Sequence, residues 1–130
     1  MFENDLKTIK LFVSHIEDYS EYNLFLDKLN TAIDYQWEIF SDPNKIGEND
    51  LKDQINPVEI VIILSGQYSK DPSLIKKQIR IAKELEKPII AVRPFGMENV
   101  PEFVENVAQD IVGWNTPCIV DIIEENALII

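Results

Sequence analysis

The segment that most constrains the fold is Glu59–Leu64, in which one acidic residue is followed by an unbroken run of branched apolar residues. A strand that is apolar at every position must be covered on both faces, and this is typical of a central strand in a parallel sheet. Four further strands are predicted, at Ile9–Ser14, Trp37–Phe40, Pro88–Val92 and Ile111–Trp114.

Helical segments alternate with these strands. The predicted helices are Tyr22–Ile33, a short helix capped by Asn49 and ending at Ile55, a helix in the run Asp71–Ala82, Pro101–Gln109, and a last helix from Pro117 to about Asn126. Asp71 and Thr116 are the expected N-caps of two of them. Regular alternation within 130 residues predicts one α/β domain over 1–130, with its core at about 8–125. The expected architecture is a flavodoxin-like three-layer sandwich, whose five-stranded parallel sheet has the order 2-1-3-4-5.

Composition and charge restrict the function. Twenty-three acidic and 12 basic residues give a formal charge of −11, which repels phosphate backbones and argues against nucleic acid as a partner. No apolar run approaches the roughly 20 residues of a membrane span, and Met1–Asp5 lacks a signal-peptide layout, so a cytoplasmic protein without a membrane partner is expected. With Cys118 and His15 each the single residue of its type, no disulfide and no cysteine- or histidine-rich metal site is predicted.

Gln78 is a polar residue inside an apolar helical stripe. The stripe comprises Leu74, Ile75, Ile79, Ala82 and Leu85. A buried amide without partners costs about 1–3 kcal/mol, so Gln78 must either cap a buried backbone group or face a cleft. In open parallel sheets, ligands bind at the carboxyl ends of the strands, near the switch point between strands one and three. Such a cleft would lie among the 14–15 and 65–66 turns, the 41–49 loop and the start of the Gln78 helix.

The order and spacing of several segments resemble the TIR-like family of bacterial defence proteins, nearest the signal-producing subunit of Thoeris anti-phage defence. The resemblance covers roughly residues 8–125. The segments that carry it are Phe12–His15, Trp37 with Phe40-Ser41, Val61–Tyr68, Ile75–Ala82, Lys87–Val92 and Asp110–Thr116.

This resemblance implies an enzyme that binds NAD as a substrate, with no separate cofactor, and breaks its nicotinamide–ribose bond. The product would be an ADP-ribose-derived nucleotide signal for a partner effector protein, and the protein would work as a homo-oligomer, to which the apolar terminus Leu128–Ile130 could contribute. Family members carry a catalytic glutamate where this chain has Gln78. The expected nucleotide-binding residues are Ser14, His15, Trp37, Phe40, Asp42, Ser65 and Gly66.

The chemistry of Gln78 predicts a specific defect. Glycosidic cleavage develops positive charge on the ribose, which a carboxylate stabilises and a neutral amide does not. Loss of one such stabiliser costs about 10²–10³ in rate, so this chain is expected to bind NAD and turn it over poorly. The glutamine is either an introduced substitution that traps substrate or a native feature of a catalytically silent nucleotide- or protein-binding module. A phosphoacceptor receiver domain fits poorly, because its aspartates are replaced here by the 14–15 and 65–66 pairs.

Overall fold

The computed structural model describes residues 7–97 and 99–127. The strands are β1 (Lys7–Val13), β2 (Tyr35–Ile39), β3 (Ile60–Leu64), β4 (Ile89–Val92) and β5 (Asp110–Val112). The helices are α1 (Ser20–Leu29), α2 (Glu48–Ile55), α3 (Pro72–Glu84), α4 (Glu102–Val107) and α5 (Thr116–Asn126), and a 3-10 turn covers Ser65–Gln67. All pairings are parallel and the order is β2-β1-β3-β4-β5, which confirms the predicted α/β flavodoxin-like sheet.

The central strand explains why the chain forms three layers. Every residue of β3 is buried. Because side chains alternate across a strand, Val61 and Ile63 pack towards α2, α3 and α4, whereas the other three residues pack towards α1 and α5. Both faces of the sheet are therefore covered, and the carboxyl ends of β1, β3 and β4 lie side by side at one edge.

Helix α1 ends at Leu29, earlier than the predicted end at Ile33. The backbone N–H of Ala32 bonds to the Leu29 carbonyl in a tight turn, and the Trp37 indole donates to the same carbonyl at 2.8 Å. These bonds replace a further helical turn, and Ile33 is left 83% exposed.

The N-cap of α5 is Asn115 rather than the predicted Thr116. Asn115 has an extended backbone (φ −104°, ψ 118°), and its side-chain oxygen accepts a hydrogen bond from the Cys118 N–H at 3.1 Å. Thr116 is already the first helical residue, followed by Pro117. At the start of α3, by contrast, the predicted cap is confirmed, because Asp71 accepts from the Leu74 N–H at 3.1 Å.

Within residues 7–97 and 99–127, every helix is too short or too polar to cross a bilayer. The apolar terminus Leu128–Ile130 lies outside the described residues.

Candidate functional site at the carboxyl edge of the sheet

Ser14 joins the carboxyl ends of β1 and β3. Its hydroxyl oxygen accepts a hydrogen bond from the Leu64 N–H at 2.8 Å and donates to the Gln67 side-chain oxygen at 2.6 Å. Its own N–H donates to the Ile62 carbonyl at 2.8 Å, so the residue extends the strand ladder. Ser14 is fully buried and holds the 3-10 turn against β1. A contact between Ser14 and a nucleotide stays a prediction.

Gln78 points into the interior, where it is 0% exposed. Its Nε2 donates to the His15 carbonyl at 2.8 Å, and its Oε1 accepts from the His15 N–H at 3.2 Å. One amide thus satisfies both backbone groups of the residue that follows Ser14 at the end of β1. Of the two explanations for an inward-facing glutamine, the structure shows the backbone cap. Its place in catalysis stays a prediction.

The His15 side chain is tied to the loop after β2. Gln54 Oε1 accepts from the Asp42 N–H at 3.0 Å and lies 3.1 Å from His15 Nε2, while Gln54 Nε2 donates to the Lys45 carbonyl at 2.9 Å. Because that oxygen is an acceptor, His15 donates through Nε2, and in the neutral imidazole the lone pair is then on Nδ1. Nδ1 is buried and has no hydrogen-bond partner among the residues that the structure describes.

Burial lowers the pKa of His15 below its ordinary value of 6.5, and the hydrogen bond to Gln54 opposes this only in part. His15 is therefore neutral near pH 7. In this structure it anchors the loop after β2, and a role in ligand binding is still a prediction.

Trp37 and Phe40 lie on opposite sides of the sheet. Trp37 packs with the α1 and α5 side, whereas Phe40 packs with the α2, α3 and α4 side. The two rings therefore do not form one stacking surface. Asp42, in the loop, accepts a hydrogen bond from the Asn44 N–H at 3.1 Å. Nucleotide contacts of these three residues remain predictions.

A cavity of about 520 Å³ opens beside the carboxyl ends of β3 and β4. Its size lies within the roughly 300–1,000 Å³ that is typical of small-molecule sites. The lining residues that matter for its chemistry are Glu21, Ser65, Gly66, Lys70, Phe95 and Asn99. The cavity therefore contains two of the predicted binding residues and adds a carboxylate from the first turn of α1.

Gly66 allows this carboxylate to approach the turn after β3. A Cβ atom at position 66 would lie 2.6 Å from Glu21 Oε2 and 2.7 Å from Oε1, well inside the contact distance of real Cβ atoms. Any side chain at position 66 would thus displace the carboxylate. The absence of a side chain at Gly66 therefore allows the Glu21 carboxylate to lie against the backbone of the 3-10 turn.

The Glu21 carboxyl is electrostatically perturbed. Burial raises its pKa above the ordinary value of 4.5, while the Lys70 charge and the Phe95 backbone act in the opposite direction. Its Oε1 atom is buried and has no hydrogen-bond partner within the described ranges. A partly buried carboxylate beside a cavity is a candidate ligand-binding or acid–base group.

Asp18 bonds to the first residue of α1 and to Lys70. Its Oδ1 accepts from the Ser20 N–H at 3.0 Å and from the Ser20 hydroxyl at 2.7 Å, which orders the first turn of α1. Its Oδ2 accepts from Lys70 Nζ at 3.1 Å. The Ser20 hydrogen bonds, followed by the one from Lys70, lower the pKa of Asp18 to about 2.

Sequence reasoning did not single out Glu21. Acidic residues are common in the first turn of a helix, where they favour the macrodipole, so the residue carried no distinguishing signal. The available hint was its position shortly after a buried strand, which places it at the ligand-binding edge of a parallel sheet. Glu21 and Gly66 are far apart in the sequence, so no local sequence pattern could predict that they meet.

The fold defines a parallel α/β domain of the flavodoxin-like class, with a polar cavity at the carboxyl edge of its sheet. The family model described as "Thoeris protein ThsB, TIR-like domain" matches residues 12–99. This chain belongs to that family, as its resemblance predicted. The match includes β3, the 3-10 turn, α3 and therefore position 78. The comparison with curated proteins found no match.

Two solved structures share the architecture. A CMP N-glycosidase, BcmB, from Clostridium botulinum is 13% identical with a TM-score of 0.52, over 89% of this chain and 98% of that one. A de novo designed Rossmann 2x3 fold protein is also 13% identical, with a TM-score of 0.53, over 96% and 95% of the two chains. At this identity the likeness concerns the fold.

Proposed function

We propose that this chain is a nucleotide-binding TIR domain of Thoeris defence signalling that takes NAD, or an ADP-ribose-type nucleotide, at the carboxyl edge of its sheet. Its reaction is cleavage of the nicotinamide–ribose bond to give a nucleotide signal for a partner effector. Cleavage is slow in this chain, because an amide stands where relatives have a carboxylate. The observation that carries the proposal is the family match across residues 12–99, which spans this edge and Gln78.

The contacts of Gln78 support the slow rate. Its amide is neutral, fully buried and bonded on both sides to the His15 backbone. In this conformation it offers no negative charge to a developing ribosyl cation. The fold neighbour BcmB is described as a CMP N-glycosidase, and cleavage of an N-glycosidic bond to ribose is the same class of reaction that we propose here.

One observation favours a second function, a catalytically silent binding module. The Gln78 amide supplies one donor and one acceptor to the His15 carbonyl and N–H. An ionised carboxylate would satisfy the N–H and repel the carbonyl. The environment of position 78 is thus matched to glutamine, as expected if glutamine is native.

Nicotinamide release from NAD distinguishes the two functions. The wild type, Gln78→Glu and the control Gln36→Glu, which makes the same chemical change on the exposed side of β2, are compared at equal folded concentration. We expect Gln78→Glu to release nicotinamide about 10²–10³ times faster than the wild type and the control to match the wild type. If all three proteins release nicotinamide at the same rate, whatever that rate is, the residue at position 78 does not limit the reaction. Absence of release together with NAD binding supports the silent module.

A further inference from the structure

We propose that the cavity beside Glu21 is the binding site for a phosphorylated ribonucleoside, in which the Glu21 carboxylate accepts hydrogen bonds from the 2′- and 3′-hydroxyl groups. Lys70 neutralises the phosphate, and Phe95 provides an apolar face for the base. This inference rests on the proposed function and deepens it, since it names the cavity, its residues and the ligand class.

Two residues that line this cavity each carry an unpaired polar atom. Glu21 Oε1 and the Ser65 hydroxyl are both buried, and neither has a hydrogen-bond partner within the described part of the chain. Ser65 is only 1% exposed. Buried polar groups are nearly always paired in native proteins, so two unpaired ones beside a common space indicate a polar ligand.

The chemistry of the two atoms selects the ligand. A carboxylate is an acceptor only, and a ribose diol offers two adjacent O–H donors, whereas a hydroxyl such as that of Ser65 both donates and accepts. Gly66 brings the carboxylate against the backbone of the 3-10 turn. A vicinal diol therefore matches Glu21 better than an anionic group would.

The mouth of the cavity supplies a cation and an aromatic ring. Lys70 is paired with Asp18, yet its side chain is 49% exposed and lines the cavity, so its remaining donors are accessible. In a chain with a formal charge of −11, a lysine on this wall offers an anion a local positive group. Phe95 is 60% exposed and is held edge-on against Trp114 at 5.4 Å between ring centroids. An exposed but supported ring is suited to stack on a base.

The test compares AMP with 2′-deoxy-AMP and inorganic phosphate by calorimetric titration. For the wild type we expect AMP to bind at least about tenfold more tightly than 2′-deoxy-AMP, because a carboxylate that loses its hydroxyl partner remains unpaired. Glu21→Ala should weaken AMP binding by about tenfold or more and abolish the preference. Lys70→Ala should weaken both nucleotides equally and reduce the salt dependence.

The matched control is Glu17→Ala, which removes the same charge from an exposed position near the start of α1. It should bind AMP as the wild type does. Gly66→Ala provides a second perturbation of the site, since it displaces the carboxylate and leaves its charge in place. Thermal unfolding of each variant shows that the fold is kept.

The inference is overturned by an absence of AMP binding, by equal binding of AMP and 2′-deoxy-AMP to the wild type, or by unchanged AMP binding to Glu21→Ala. Binding of phosphate as tight as that of AMP also overturns it, because the site would then be a simple anion site. The proposed function is tested separately. Nicotinamide release is compared between Gln78→Glu and the double variant that also carries Glu21→Ala. If both release nicotinamide equally fast, the proposed cleavage reaction is supported and the proposed Glu21 site is refuted.

Discussion

Replacing Gln78 isolates the contribution of one buried amide. The side chain is fully buried and bonds the N–H of His15 at 3.2 Å and its carbonyl at 2.8 Å. Gln78→Leu keeps a similar volume and removes both bonds. The two backbone groups of His15 are then left in the interior without their partner.

The expected cost follows from these two groups. Each buried donor or acceptor that loses its partner costs about 1–3 kcal/mol, so Gln78→Leu should lower the free energy of unfolding by about 2–6 kcal/mol. Domains of this size are stable by only about 5–15 kcal/mol. The substitution is therefore expected to bring the protein close to its unfolding threshold.

Gln78→Glu should give a pH-dependent result. A protonated carboxyl donates to the carbonyl and accepts from the N–H, as the amide does, whereas an ionised one faces the carbonyl with a buried charge. The pKa of the introduced carboxyl is thus raised in the folded state, so its destabilising effect grows as the pH rises above the unfolded value of about 4.3. The variant should approach wild-type stability at about pH 4, below the unfolded pKa, and be clearly less stable at about pH 8.

Urea unfolding followed by tryptophan fluorescence at both pH values measures these differences. Gln36→Glu, at an exposed position, is the matched control and should stay within about 0.5 kcal/mol of the wild type. The reasoning is refuted if Gln78→Leu costs less than about 1 kcal/mol, or if Gln78→Glu has the same stability difference from the wild type at both pH values.

Three further predictions test separate parts of the structure. Burial raises the pKa of Glu21 in the folded state, so ionisation of this carboxyl destabilises the fold. In urea titrations, Glu21→Gln should therefore be more stable than the wild type at about pH 8, and this difference should disappear at about pH 4. Asn115→Ala should lower the free energy of unfolding by about 1 kcal/mol and Thr116→Ala by clearly less, since Asn115 is the cap. Ser14→Ala leaves two buried partners unbonded and should cost about 2–6 kcal/mol in the same assay, where a loss below about 1 kcal/mol would contradict it.

The sheet was predictable because its signals are local. The apolar run at Ile60–Leu64 requires cover on both faces, and alternation with helices leaves few topologies. The end of α1 and the cap of α5 were not predicted correctly. Ala32 and Trp37 bond to the Leu29 carbonyl, and the backbone of Asn115 is extended, neither of which the periodicity of apolar residues encodes.

The site was predictable only in part. The apolar stripe of α3 showed that Gln78 faces inward, but its partner, His15, is 63 residues away in sequence and no local pattern identifies it. The cavity depends in the same way on contacts between distant segments, since Glu21 meets Gly66. The predicted strand ends show at which edge of the sheet a ligand would bind. Which side chains meet at that edge depends on long-range packing, which the sequence pattern does not give.

At this edge of the sheet, the residues that hold the backbone in position are different from the residue that supplies the negative charge. Gln78, on one side of the sheet, fixes the backbone of His15, and the adjacent Ser14 fixes the 3-10 turn through Gln67. The same turn meets the Glu21 carboxylate, which comes from the other side of the sheet. A neutral amide suits the first task because the His15 backbone presents both a donor and an acceptor, whereas a carboxylate suits the second because its two oxygens can accept from both hydroxyl groups of a diol. If both proposals hold, this chain retains ribonucleotide recognition through Glu21, while the amide at position 78 limits the cleavage rate.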